Sequence, residues 1–214
     1  MKIEILYPEI CTLYGDKGNT MYLQKCLPDA EFVTTGLNEK PLFLRENIDM
    51  VYMCSMSEKS QELVLDRLMQ YKDEIAACMK DGKALFLLVG NSMELLGDYI
   101  KREDGTRVTG LGVVPGMYSV RQAPNRFNTL IKAKFNDMTL IGYTSRFAHT
   151  YGIPEDMTFC KVEIGQGSNP DTMNEGICKN RVIATYIHGP LLIQNPDFVH
   201  YLLCLLYTSD AADD

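Results

Sequence analysis

The stretch Ala84-Leu85-Phe86-Leu87-Leu88-Val89-Gly90-Asn91-Ser92-Met93-Glu94-Leu95-Leu96-Gly97 decides the fold. Leu85–Val89 is an unbroken apolar run of strand length, the pattern of a strand buried on both faces of a parallel sheet. Gly90, Asn91 and Ser92 are small enough for a sharp turn, and residues 93–97 predict a helix behind it. Such a turn exposes its apex side chain at a helix N-terminus, where many acyl-transfer sites place a nucleophile. Here the apex is Gly90, which has no side chain to offer.

Similar apolar runs occur at 3–6, 32–34, Met50–Met53 and 84–89. Between the last two, residues 60–80 carry Leu63, Leu65, Leu68, Met69, Ile75 and Ala76 at helical spacing, closed by Asp81-Gly82. This predicts one long amphipathic helix. Strands alternating with helices predict a three-layer α/β fold around a mostly parallel sheet. The second half differs. Residues 108–118 are Gly-rich, and 129–133, 139–143, 159–164, 176–178 and 182–187 read as strands with few helices between them. Residues 165–174 read as a polar loop, and Asn195-Pro196 caps a final helix from Asp197.

No repeat, low-complexity tract or linker divides the chain, so residues 1–203 are expected to form one domain. Residues 204–214 read as a frame of a common sequencing adapter, hence as a non-native tail. The net charge of −7, without a basic stripe, argues against nucleic-acid binding. No apolar run is long enough to span a bilayer. The N-terminal residues read as a first strand and not as a signal peptide, which predicts a cytoplasmic protein. The seven cysteines are scattered without a CxxC pair, so neither a disulfide framework nor a metal site is expected.

Five segments should meet at the carboxyl edge of the sheet: the loop after Leu6, the turn after Met53, the elbow at Gly90, the turn after Tyr143, and His188. His188 ends an apolar strand and precedes Gly189-Pro190, a position suited to a catalytic base. The run Tyr14-Gly15-Asp16-Lys17-Gly18-Asn19 is a compact turn before a helix. With Asn19 as a cap it could aim backbone N–H groups at an anion, but its spacing is not that of a Walker loop. Cys54, followed by Ser55, is the one thiol expected at the same sheet edge as His188.

Leu6-Tyr7-Pro8 with the 13–19 run, Leu95-Leu96-Gly97, and Ala184-Thr185-Tyr186-Ile187-His188-Gly189-Pro190-Leu191-Leu192 with Asn195-Pro196 resemble one family. It is the class I glutamine amidotransferases of the CobB/CobQ-like branch, and within it the GatD-like glutaminase subunits of lipid II isoglutaminyl synthases. The resemblance implies a flavodoxin-like glutaminase fold. It also implies a Cys at the elbow attacking the glutamine carboxamide, a His taking its proton, backbone N–H groups holding the oxyanion, and no cofactor. Ammonia would pass to a Mur-ligase-like (MurT-like) ATPase partner in a heterodimer. His188 matches the family's catalytic His.

Three departures coincide. Val89-Gly90-Asn91-Ser92 stands where the family has Ile-Cys-Gly-Gly, so the nucleophile position is Gly90. The Gly-rich oxyanion-side loop is replaced by Cys54-Ser55-Met56-Ser57-Glu58. In 144–150 the glutamine-linked Arg is replaced by His149, with Arg146 nearby. Together they predict a glutaminase site out of use, in a subunit that acts as a partner or binds a ligand in the old pocket, glutamine or another small molecule. Candidate pocket residues are Cys54, Ser55, Asn91, Ser92, Arg146 and His149. Two alternatives stay open: an enzyme with a non-standard nucleophile such as Cys54, and an unrelated small-molecule-binding α/β domain.

Overall fold

The structure, a computed structural model, describes residues 1–210. Its thirteen strands are β1 (Lys2–Leu6), β2 (Glu31–Thr35), β3 (Met50–Met53), β4 (Leu85–Val89), β5 (Tyr99–Lys101), β6 (Arg107–Thr109), β7 (Tyr118–Arg121), β8 (Phe127–Phe135), β9 (Met138–Arg146), β10 (Ala148–Tyr151), β11 (Thr158–Ile164), β12 (Asn174–Lys179) and β13 (Val182–Thr185). The α-helices are α1 (Lys17–Cys26), α2 (Glu58–Met69), α3 (Lys72–Asp81), α4 (Leu191–Gln194) and α5 (Pro196–Asp210).

Nine strands form the central sheet in the order β2-β1-β3-β4-β13-β12-β11-β8-β9. The first five run parallel, as the all-apolar runs require, and every residue of β3, β4 and β13 is buried. From β13 outward each pairing is antiparallel. There β8 alternates buried with exposed residues and leaves one face open to water.

Adjacent strand residues point to opposite faces, and this sets the layers. On one face Met53, Phe86 and Leu88 meet Leu68 of α2 and Ile75 and Met79 of α3. On the other, Tyr52 accepts a hydrogen bond from Asn19 of α1, and α1 packs with α4, which packs with α5. Within β1, Glu4 is a fully buried carboxylate. It is satisfied by Thr35 Oγ1 and by the Leu42 and Phe43 amides at 2.7 and 2.8 Å.

Three expectations are corrected. The long helix of 60–80 is two helices, α2 and α3, separated at Gln70-Tyr71; the apolar period carries across the break and hides it. The helix expected at 93–97 is a 3-10 helix that begins at the apex itself, Gly90–Leu96. A second sheet, β10-β7-β5-β6, was not foreseen, because its strands are three or four residues long and of mixed polarity. The Leu111 and Val114 amides pin this part of the chain to Leu95 and Leu96 O, directly beneath the elbow. Residues 211–214 of the expected tail lie outside the described residues. The part before them continues α5, with Leu206 buried and Arg181 Nη1 donating to Leu205 O at 2.8 Å.

Candidate functional site

The expected convergence at the carboxyl edge of the sheet is present except for the turn after Tyr143: β9 runs on to Arg146, so Tyr143 lies inside a strand and reaches His188 from there. The β3–α2 turn brings Ser55, the β4 elbow brings Gly90, the turn before α1 brings Tyr14 and Asp16, and the chain after β13 brings His188. Tyr143 of β9 bonds the His188 backbone in both directions, His188 N to Tyr143 O at 2.8 Å and Tyr143 N to His188 O at 3.3 Å. The imidazole lies against the Tyr14 ring, centroids 4.7 Å apart, with the Tyr143 ring at 5.8 Å.

At the centre stands Ser55. Its Oγ donates to Asp16 Oδ2 at 2.7 Å, and its amide donates to the same oxygen at 3.0 Å. The same Oγ lies 3.1 Å from His188 Nδ1. A hydroxyl has one proton, and the carboxylate takes it. The remaining contact is therefore satisfied when Nδ1 carries hydrogen and donates to Oγ. The second carboxylate oxygen, Asp16 Oδ1, is 3.9 Å from Nδ1 and has no hydrogen-bond partner. Asp16, Ser55 and His188 are all buried. The hydroxyl thus serves as a linker between acid and imidazole.

Gly90 faces this cluster with φ +72°, a conformation that L side chains rarely adopt. A Cβ built on it would overlap Ser55 Oγ, and would stand 2.5 Å from His188 Cε1 and 2.9 Å from Ser55 Cβ. The apex carries no side chain, and the space where one would begin is filled by Ser55 Oγ from the neighbouring turn.

The other candidate residues hold the scaffold. Asn91 accepts from the Met56 amide at 3.0 Å and donates to Met56 O at 2.7 Å, which locks the elbow to the β3–α2 turn. Ser92 Oγ bonds back to Val89 O at 2.8 Å. Asn19 lies inside α1 and is no cap: it bonds the Tyr52 hydroxyl and the Leu192 amide. Gly18 gives α4 room, since a Cβ there would come 2.9 Å from the Pro190 ring. Cys54 is buried. Burial, then the Asp16 charge, pushes its thiol well above its ordinary pKa, the opposite of an activated nucleophile.

Arg146 belongs to a buried polar network beneath the elbow, and the buried His149 feels its charge. Arg146 donates to Gly167 O and lies over the Tyr186 ring, 4.2 Å from its centroid. The Tyr186 hydroxyl donates to Glu94 Oε1 at 2.9 Å and lies 2.6 Å from Thr150 Oγ1. Gln61 Nε2 bonds Asn91 O at 2.7 Å and Glu94 Oε2 at 3.0 Å, while Arg121 reaches Gln61 Oε1 at 2.8 Å. Burial raises the pKa of Glu94 and of Glu175, favouring their neutral forms, and lowers that of Arg146. His149 packs on Phe127, and burial followed by the Arg146 charge lowers its pKa to about 4. Glu94, Tyr186, Gln61 and Arg121 escaped sequence reading. The one available signal was a lone acid in the apolar run Met93-Glu94-Leu95-Leu96.

Comparison with known proteins places this architecture. Residues 2–196 match the CobB/CobQ-like glutamine amidotransferase domain, and the chain belongs to that family. It is 26% identical over 207 residues to the Streptococcus pneumoniae lipid II isoglutaminyl synthase (glutamine-hydrolyzing) subunit GatD, covering 95% of this chain and 79% of that protein. The Staphylococcus aureus GatD subunit is 26% identical over 194 residues, covering 89% and 78%. The fold is similar to the PurLQS structure from Thermotoga maritima (TM-score 0.60, 12% identity, 87% and 86% covered). It is also similar to a glutamine amidotransferase from the same organism (TM-score 0.54, 12% identity, 99% and 90% covered).

Proposed function

We propose that this chain is a GatD-like subunit that has lost glutamine hydrolysis and serves, in the cytoplasm, as the non-catalytic partner of an ATP-dependent, Mur-ligase-like (MurT-like) subunit. In its relatives the subunit belongs to a glutamine-hydrolyzing lipid II isoglutaminyl synthase. The observation that carries the reading is Gly90 at the apex, facing His188 with Ser55 Oγ in the nucleophile's place.

Amide hydrolysis at such an elbow needs a side-chain thiol within reach of the imidazole. Its absence costs on the order of 10⁶ in rate, about 8 kcal/mol. No other thiol replaces it, because Cys54 is buried and its pKa is raised. The scaffold is intact, from the nine-stranded sheet to the Tyr143–His188 bridge, as a subunit kept for assembly requires.

The test is glutamate release from glutamine by the purified chain, alone and with a MurT-like ligase subunit. Release at the no-enzyme rate, together with co-purification of the two subunits, is expected. Partner-stimulated release at ordinary amidotransferase rates overturns the proposal.

A further inference from the structure

We infer that Ser55 is the residue that keeps the elbow closed. Gly90 and Ser55 form one coupled pair, and a cysteine nucleophile can be re-installed at position 90 only when Ser55 is removed with it. This deepens the reading of an inactive glutaminase-type site and rests on it.

The coupling is steric first. A side chain at position 90 must start from a Cβ that overlaps Ser55 Oγ and lies 2.9 Å from Ser55 Cβ. Such a collision is harmless only where the obstacle can swing away. Ser55 cannot: Asp16 holds both its amide and its hydroxyl, and Nδ1 of His188 meets the same oxygen. Nor can the turn retreat, because Asn91 binds both the amide and the carbonyl of the next residue, Met56. The imidazole is the softer neighbour. Its backbone is fixed by Tyr143, but the ring atom nearest the new Cβ is Cε1, at the ring edge, and a ring freed from Ser55 can tilt.

The coupling is chemical second. The hydroxyl donates to Asp16 and accepts from Nδ1–H of His188, so the imidazole is held in place by the residue that fills the site. Removing Ser55 releases the imidazole as well as the space. A thiol at position 90 would then pass its proton to His188. The sulfur attacks the carboxamide carbon, the C–N bond breaks, and the imidazolium proton leaves with ammonia. Water then cleaves the thioester, its proton returning the thiol, so that amide plus water gives carboxylic acid plus ammonia, which at neutral pH are carboxylate and ammonium.

The experiment uses the full-length chain with Ser55→Gly, Gly90→Cys and the double variant. Alkylation at position 90 by iodoacetamide is followed by peptide mass mapping, and stability by urea unfolding. The double variant is expected to alkylate ~10-fold or more faster than Gly90→Cys. It is also expected to be more stable than the two single effects predict, by ~10-fold in the unfolding equilibrium. Equal alkylation rates, or additive destabilisations, overturn the inference. If Gly90→Cys does not fold, the same cycle with Gly90→Ala decides on stability alone. Labelling of Ser55 in the unaltered chain by a fluorophosphonate also overturns it, since the hydroxyl would then be a nucleophile and not a plug. Glutamate release by the unaltered chain would sink the inactive-subunit reading while leaving the packing cycle to stand or fall by itself.

Discussion

Glu62→Gln removes a carboxylate that two guanidiniums share. Arg102 grips it with Nε and Nη2 at 2.9 and 2.8 Å, and Arg121 reaches it with Nη1 at 2.6 Å. The Arg102 bond first, with Arg121 adding to it, holds the carboxyl at about 2, against an ordinary 4.5. At about 1.4 kcal/mol per pH unit, that gap bounds the linked stability at about 3.4 kcal/mol. The Glu62 side chain is 29% exposed and Arg102 36% exposed, so water screens much of it, and about 1–2 kcal/mol is expected. The folded pKa lies below the unfolded one, so the contribution is complete above pH 4.5 and is lost as pH falls toward 2. Urea unfolding of both proteins at pH 7 and pH 3 should show the variant weaker by about 1–2 kcal/mol at pH 7, with the difference shrinking at pH 3. A difference that is absent at pH 7, or unchanged between the two pH values, refutes the reasoning.

His149 offers a second acid-sensitive test. Its pKa falls from 6.5 to about 4 on folding, so it opposes folding once pH drops below 6.5. His149→Phe should therefore spare about 2–3 kcal/mol of the stability lost between pH 6.5 and 4, read from denaturant midpoints; an unchanged acid limb would show that the ring is not titrating as a buried base. Asn195→Ala strips three bonds, from Ile141 N and to Ile141 O and Leu191 O, all between 2.7 and 2.8 Å. A loss of about 2–3 kcal/mol and faster amide exchange at Ile141 are expected; a change under about 0.5 kcal/mol would mean that water replaces the side chain at no cost.

How much of this could be read from the chain depended on range. The parallel strands were legible because both their faces are buried, which leaves no polar residue to obscure the pattern in Met50–Met53 or Leu85–Val89. The elbow and His188 were legible as punctuation, small residues and a Gly-Pro after apolar runs. Ser55 was legible only as a neighbour of Cys54. Sequence reasoning looked for a thiol, whereas the group that meets His188 is the hydroxyl one residue on, at a distance of 133 positions. Asp16 read as a turn residue, but its carboxylate is spent on Ser55, 39 positions away. Arg146 and His149 were expected at the pocket because the segment aligns with a binding loop, yet β9 and β10 carry them against Tyr186 and Phe127. Strands of three residues, such as Tyr99–Lys101, have too few alternations to declare themselves.

The order of the central sheet also has a kinetic consequence. The β8–β9 hairpin closes over a short turn, with Phe135 opposite Met138, and can form early. The elbow and His188 meet only when β4 pairs with β13, Phe86 beside Val182, which joins positions 96 residues apart. Closing such a loop costs about 4 kcal/mol of chain entropy before any contact repays it. The cluster of Asp16, Ser55 and His188 therefore cannot be assembled before this long-range pairing is made.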